Sequence, residues 1–451
     1  MADAQNASQG KFVTGSLMRH VVVMALSGAL GLSFTFLVDF LALWWISHAG
    51  IETEIAAVGI AGTIQFATMS LSIGMMIGGV AMVSRSIGMG EGDRARRIAT
   101  TAMVLTVGVQ LVVSAVIWAF RRQILAASGA EGEVLDLGAH FLAITLPSMS
   151  LIAAAILASA LLRAIGDAWR SMAVTLSAGA VAMVLDPFLI VWMGWGITGA
   201  AISIVIVRVI MTVIGLWFIT QSHDLLARPS WRNMRNVARP YFAIALPAIA
   251  TQMSTPFGNW VLTREISHHG ESAIAGWSVI MRLSILAFGG IFALSGAIGG
   301  IIGQNYGAGR PDRVAEAFVA ALKFCTVYTL VTWVLMATLS GQIATSFHLS
   351  AEGEAIVRSF THYAAGAFIL TGALFVANAT FNNLSRPLWS TAANWMRDGI
   401  LMFPLALLLT GWTGAVGVVW ANALANILAG SVAAWLAWRY IQGLEAQPRQ
   451  L

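Results

Sequence analysis

Two aspartates, Asp39 and Asp186, lie deep inside long apolar runs, a setting that suits an acid to one kind of chemistry. An ionised carboxylate in hydrocarbon is costly, so such a group is paired, faces water, or takes up and releases a proton or cation. Along helices rising about 1.5 Å per residue, Asp39 lies roughly 12 Å and Asp186 roughly 10 Å inside the nearer ends of their runs. The matching depth makes them candidates for ion coupling. The plainer reading is that each only hydrogen-bonds a neighbouring helix.

The second half of the chain places Arg282, Arg397 and Asp398 in apolar runs. Arg397 and Asp398 are adjacent, so on a regular helix they point to different sides. A structural ion pair between helices and a contact with substrate both fit them. Gln252, Ser254, Thr255 and Asn259 share one run, and Asn378, Asn382 and Asn383 share another. These side chains either line a cavity or tie helices together. Gln252, Thr255, Asn259, Arg282, Asn378 and Arg397 are the substrate-cavity candidates.

Other chemistry is excluded. There is no His-Glu-x-x-His, no Gly-x-Ser-x-Gly, no Walker loop and no cysteine–histidine cluster. The one cysteine, Cys325, permits neither an internal disulfide nor a thiolate metal site. The chain is therefore read as no enzyme, with no resident metal or cofactor, and its energy must come from an ion gradient or a partner. His48, His268 and His269 fall near one rim, with Trp44, Trp45, Trp192, Trp195 and Trp412 at a similar level, where tryptophan anchors helices to a membrane interface.

The elements that must hold these residues are set by composition. Hydrophobic types make up 58% of the 451 residues and charged types 10%, against about 25% charged in soluble domains. So few charges cannot cover a soluble fold of this size, whereas lipid removes the need. Met1 to Gln9 carries no signal-peptide pattern. A helix needs about 20 residues to cross the hydrocarbon core. Apolar runs fall at 16–47, 54–84, 95–120, 134–162, 168–193, 196–220, 240–266, 273–303, 313–342, 354–383, 387–410 and 413–441. Arginine concentrates in one alternating set of loops, including Arg94, Arg96, Arg97, Arg228, Arg232, Arg235 and Arg239. The positive-inside rule then puts both termini in the cytoplasm. The formal charge of +5 follows from these loops and calls for no nucleic-acid partner.

An internal repeat organises the spans. Ile46-Ser-His-Ala-Gly50 matches Ile266-Ser-His-His-Gly270, Gly88-Met-Gly90-Glu-Gly-Asp93-Arg94 matches Gly307-Ala-Gly309-Arg-Pro-Asp312-Arg313, and Gly194-Trp195 matches Gly411-Trp412. The glycine loops lack the strand and the Gly-Lys-Ser/Thr of a phosphate loop and read as helix stops, with Asp93 and Asp312 capping the next helices. Six spans in each half make the repeats parallel. The expected fold is all-α and integral to the membrane. Twelve transmembrane helices form two pseudo-symmetric six-helix bundles around a central cleft. The expected divisions are a tail over 1–15, a first lobe over 16–221, a linker over 222–239, a second lobe over 240–442 and a tail over 443–451. The repeat sets Asn259 against Asp39, so the acid belongs to the first lobe alone.

These residues carry a resemblance. Leu37-Val-Asp39, Val184-Leu-Asp186-Pro187, Pro247 with Gln252, and Gly303-Gln-Asn-Tyr-Gly-Ala-Gly309 resemble segments of the multidrug and toxic compound extrusion (MATE) family, over about residues 15 to 440. The resemblance implies a secondary transporter exporting amphiphilic, often cationic, compounds against protons or sodium ions. Asp39 and Asp186 match carboxylates of the proton-coupled, DinF-like branch. Ser203 occupies a place where the family often has threonine, which adds it to the cavity candidates. Ala182 stands where the family often has asparagine, so the hydrogen-bond network around the acids differs here. The resemblance further implies a monomer in the inner membrane whose partners are a small-molecule substrate and the bilayer. A sodium-coupled antiporter and a flippase for lipid-linked or polyprenyl saccharides are the alternatives.

Overall fold

The computed structural model describes residues 10–48, 52–347 and 349–446, with the side chains of residues 39, 40, 42–44, 46–48 and 52 outside the described set. Asp39, Trp44 and His48 therefore have a backbone placed in a helix and no described side chain. Among the described residues every regular element is helical. The α-helices are α1 Leu17–His48, α2 Glu52–Gly88, α3 Gly92–Ala119, α4 Arg121–Ala127, α5 Gly132–Thr145, α6 Met149–Ala164, α7 Ala168–Asp186, α8 Gly196–Trp217 and α9 Trp231–Ser267. They continue as α10 Glu271–Ala287, α11 Gly289–Gly307, α12 Pro311–Ser346, α13 Ala351–His362, α14 Phe368–Asn383, α15 Pro387–Trp395, α16 Met402–Thr413 and α17 Gly417–Glu445.

Two compact units form. The N-unit is Leu30–Val83 with Gly92–Ile249, and the C-unit is Met1–Ala29, Ser84–Glu91 and Ala250–Leu451. Helices α1 and α9 each contribute to both units, changing at Ala29 and at Ile249.

Among the described residues nine helical segments are long and apolar enough to cross a membrane, ten when α10 and α11, bent by 50°, count as one. One of the nine, Pro387–Glu445, is 59 residues long; its helices α16 and α17 pack against each other, which makes it two crossings. Helix α9 completes the twelve. Thr251, Gln252, Ser254, Thr255 and Asn259 dilute its middle below the apolar level of the others. It begins at Trp231, inside the stretch expected to be linker. At about 1.5 Å per residue its 37 residues far exceed the roughly 30 Å of hydrocarbon. The surplus is the arginine-bearing first turns.

Burial is arranged for lipid. In the N-unit, α3 exposes Leu111, Val112 and Val116 and buries Gln110 and Ser114. Ser72 donates to Gln110 at 2.8 Å. In the C-unit, α12 exposes Val327, Val331 and Val334.

The repeat is visible in shared irregularities. In the N-unit, α5 and α6 are one span broken by a tight turn at Leu146–Ser148. Pro147 has no N–H, so the Ala143 carbonyl lacks its helical donor, and Trp118 Nε1 supplies one at 3.1 Å. In the C-unit, α13 and α14 are broken at Ala364–Ala367, and Trp333 Nε1 donates to the His362 carbonyl at 3.0 Å. The π-wound stretches, by contrast, fall at places that do not match in the repeat: Pro187–Trp192 and Phe218–Ser222 in the N-unit, Met396–Leu401 in the C-unit. The glycine loops are helix stops: Gly90 and Gly309 take φ of 75° and 66°, left-handed values that suit glycine at a helix end. Asp93 and Asp312 lie inside the first turns of α3 and α12 rather than at the cap positions expected of them. There their charge still meets the positive helix end.

Candidate functional site

In the N-unit the π-wound stretch after α7 sets the geometry. Pro187 ends the regular hydrogen bonding of α7 at Asp186. Helix α8 then packs on the stretch through Gly199, where a Cβ would lie 2.6 Å from the Leu189 carbonyl oxygen. Ser203 is one turn along the same face of α8, and its hydroxyl donates to Asp186 Oδ1 at 2.5 Å. Asp186 is 6% exposed. Among the described residues no cation faces it. The sequence-selected pair Asp186 and Ser203 thus meet directly.

A second polar centre lies on the same helix. Arg208 Nη1 donates to the Thr145 carbonyl and to Ser148 Oγ, each at 2.8 Å. Its Nη2 donates to Gln65 Oε1 at 2.6 Å. The Gln65 amide is held in turn by Nε2 donating to Thr145 Oγ1 at 3.2 Å. The break at Pro147 turns the Thr145 carbonyl and the Ser148 hydroxyl toward one side chain. Sequence reasoning passed over Arg208 and Gln65. The signal was present: a single arginine in the middle of the apolar run Gly196–Trp217.

The C-unit centre corrects one expectation. Arg397 and Asp398 do not diverge; they form an ion pair with each other. Nε reaches Asp398 Oδ1 and Nη2 reaches Oδ2, both at 2.7 Å. The cause is the π-wound stretch Met396–Leu401, which departs from the regular angular step between neighbours. Both residues are buried. Arg397 also donates to Asn426 Oδ1 at 3.4 Å and Thr255 Oγ1 at 3.3 Å. Asn394 donates to Asn378 Oδ1 at 3.0 Å. Gln252 and Asn259 are half-buried, Arg282 is exposed, and none of the three has a hydrogen-bond partner among the described residues. Asn382 and Asn383 are buried in α14. Glu265, at the end of α9, accepts from Thr410 at 2.9 Å. A cavity elsewhere in the N-unit, lined by Arg94, Arg97, Asn233 and Asn236, holds none of these side chains.

The chain has relatives of known sequence and fold. The MatE family model matches residues 29–188 and 247–408. A FAD transporter of Shewanella oneidensis is 25% identical over 95% of this chain and 96% of that one. The multidrug export protein MepA of Staphylococcus aureus is 20% identical over 92% of each chain. An outward-facing multidrug resistance MATE family transporter of the MOP superfamily aligns with a TM-score of 0.90 at 20% identity, covering 97% of this chain and 98% of that one.

Proposed function

The chain belongs to the MatE family of transporters, not of enzymes, and from that premise we propose that it exports amphiphilic compounds in exchange for protons, with Asp186 and Asp39 as the coupling acids. The observation that carries this is the Asp186 carboxyl, buried in a span with one hydroxyl for company. An ionised carboxylate only accepts hydrogen bonds, and a protonated one also donates. Arrival of a proton therefore reverses what the group asks of Ser203, and removes a charge from an apolar setting. One charge moving through 100 mV supplies about 2.3 kcal/mol, enough to bias an equilibrium between two conformations. The protein acts as a monomer in the inner membrane with its arginine-rich face and both termini in the cytoplasm. It needs no bound cofactor, and sodium is the competing coupling ion.

Asp186→Asn tests the coupling. In proteoliposomes without sodium, an imposed pH gradient should drive accumulation of a fluorescent substrate by the parent protein. The variant should lose at least about tenfold of that rate, as expected when a group central to the step is removed, while its melting temperature holds. Undiminished pH-driven transport by the variant would overturn the proposal. Transport driven by a sodium gradient alone would move the coupling to sodium.

A specific observation favours a second reading of the cargo. The family resemblance implies a cation, which Asp186 could meet. Arg208, however, is a half-buried cation without an acid partner among the described residues. The Shewanella relative is named for FAD, a dinucleotide whose diphosphate is anionic.

A further inference from the structure

We propose that Arg208 is the anchor for an oxyanion group, a carboxylate or a phosphate, on the exported compound. The inference rests on the export reading above and names the charge of its cargo. Arg208 lies roughly 18 Å from one end of α8 and roughly 14 Å from the other, near the middle of a hydrocarbon core about 30 Å thick. An arginine at that depth faces protein or a water-filled cavity and marks a pathway or a pair. Here there is no pair. Its partners are a backbone carbonyl, a hydroxyl and an amide oxygen, all neutral.

Three other span arginines have explanations that Arg208 lacks. Arg397 is neutralised by Asp398. Arg163 and Arg85 stand in the last turns of α6 and α2, where the negative helix end favours a cation. Arg208 is mid-helix, far from either dipole end. A guanidinium has five N–H donors in a planar fork, of which the three bonds to Thr145, Ser148 and Gln65 use three. The remaining edge suits an oxyanion bound by two N–H groups. The three neutral acceptors hold the fork still without cancelling its charge. Gln65 is the telling residue. Glutamate has the same shape and would close an internal ion pair, and the chain has the neutral form instead.

The test is equilibrium binding to the full-length protein in nanodiscs, with FAD and carboxyfluorescein as anionic probes and ethidium as a cationic one. Both anions should bind the parent. Arg208→Gln should weaken them at least tenfold, and Arg208→Lys should keep part of the affinity. Gln65→Glu should weaken both anions as much as Arg208→Gln does, with a melting temperature at or above that of the parent, because the new carboxylate pairs with Arg208. Ethidium affinity should not fall in any variant. A merely structural Arg208 gives a stable Gln65→Glu protein with unchanged anion affinity, and that result overturns the proposal even if Arg208→Gln fails to fold. Ethidium transport without anion binding leaves the export reading standing and sinks this one. Arg208-dependent anion binding with no transport under any gradient does the reverse.

Discussion

The two units solve the problem of charge inside a membrane in opposite ways. In the C-unit the cation Arg397 is closed onto the acid beside it, and Asn426 and Thr255 complete the shell. In the N-unit the acid Asp186 and the cation Arg208 stand apart, each met by neutral oxygens. A closed pair is a structural device, whereas separated charges remain able to answer an ion or a ligand. The sharpest way to break this comparison is to remove one acid from each unit. Asp398→Asn leaves Arg397 charged and buried, and losing one partner of a buried pair costs about 3 kcal/mol or more. Asp186→Asn keeps a group that can accept from Ser203 and strands no cation, so its melting temperature should stay near that of the parent. Parallel thermal unfolding of the two variants checks this, and equal losses would erase the distinction.

The units should behave alike where they share backbone geometry. Gly199 in α8 and Gly417 in α17 hold matching places in the repeat. A Cβ at Gly199 would lie 2.6 Å from the Leu189 carbonyl oxygen, and one at Gly417 would lie 2.4 Å from that of Leu409. Both approaches are to backbone, which cannot rotate aside. Alanine at either position should therefore cost about 2 kcal/mol, within the range for overpacking a tight contact. In the N-unit the same change should also push Ser203 off Asp186 and slow pH-driven transport. A Gly417→Ala protein that melts like the parent, beside a destabilised Gly199→Ala protein, would show that the repeat does not extend to energetics.

The sequence made the twelve crossings and the duplication legible because both are written in features that survive without coordinates: apolar run length, arginine placement and a constant offset between motifs. It made Asp186 legible for the same reason, since an acid in an apolar run stands out. What it hid depends on local winding. The pairing of Arg397 with Asp398 follows from a π-wound stretch, and no period in the residue pattern announces that. The start of α9 at Trp231 was hidden by its arginines, which read as loop although a helix can carry them beyond the bilayer. Arg208 was hidden by its place in the middle of a strongly apolar helix, although its type and depth were as plain as those of Asp186. The Asp39 side chain lies outside the described residues.

The smallest effect separates the units at the entry to corresponding helices. Asp167 caps α7, accepting from the Arg170 N–H at 3.0 Å, from the Arg170 guanidinium at 2.6 Å and from His223 Nε2 at 2.8 Å. The matching helix α15 starts at Pro387 with Arg386 in the cap position and no side-chain cap. Partial burial pushes the Asp167 carboxyl up, but the bonds from Arg170 and His223 outweigh it and hold the group below the usual carboxylate range. A carboxyl lowered in the folded state stabilises it fully above its unfolded value, near 3.9, and that stability is lost as the pH falls through the lower folded value. Asp167→Ala should therefore cost about 1 kcal/mol at neutral pH, the usual worth of an N-cap, and the cost should shrink below about pH 4 as the parent loses the same interaction. Arg386→Ala should cost less and show no such acid dependence, because Pro387 fixes the first turn of α15 without a cap. Melting temperatures of the two variants measured from pH 7 down to pH 3 decide the matter. A pH-independent difference between Asp167→Ala and the parent would mean that the carboxyl acts there through packing and not through its charge.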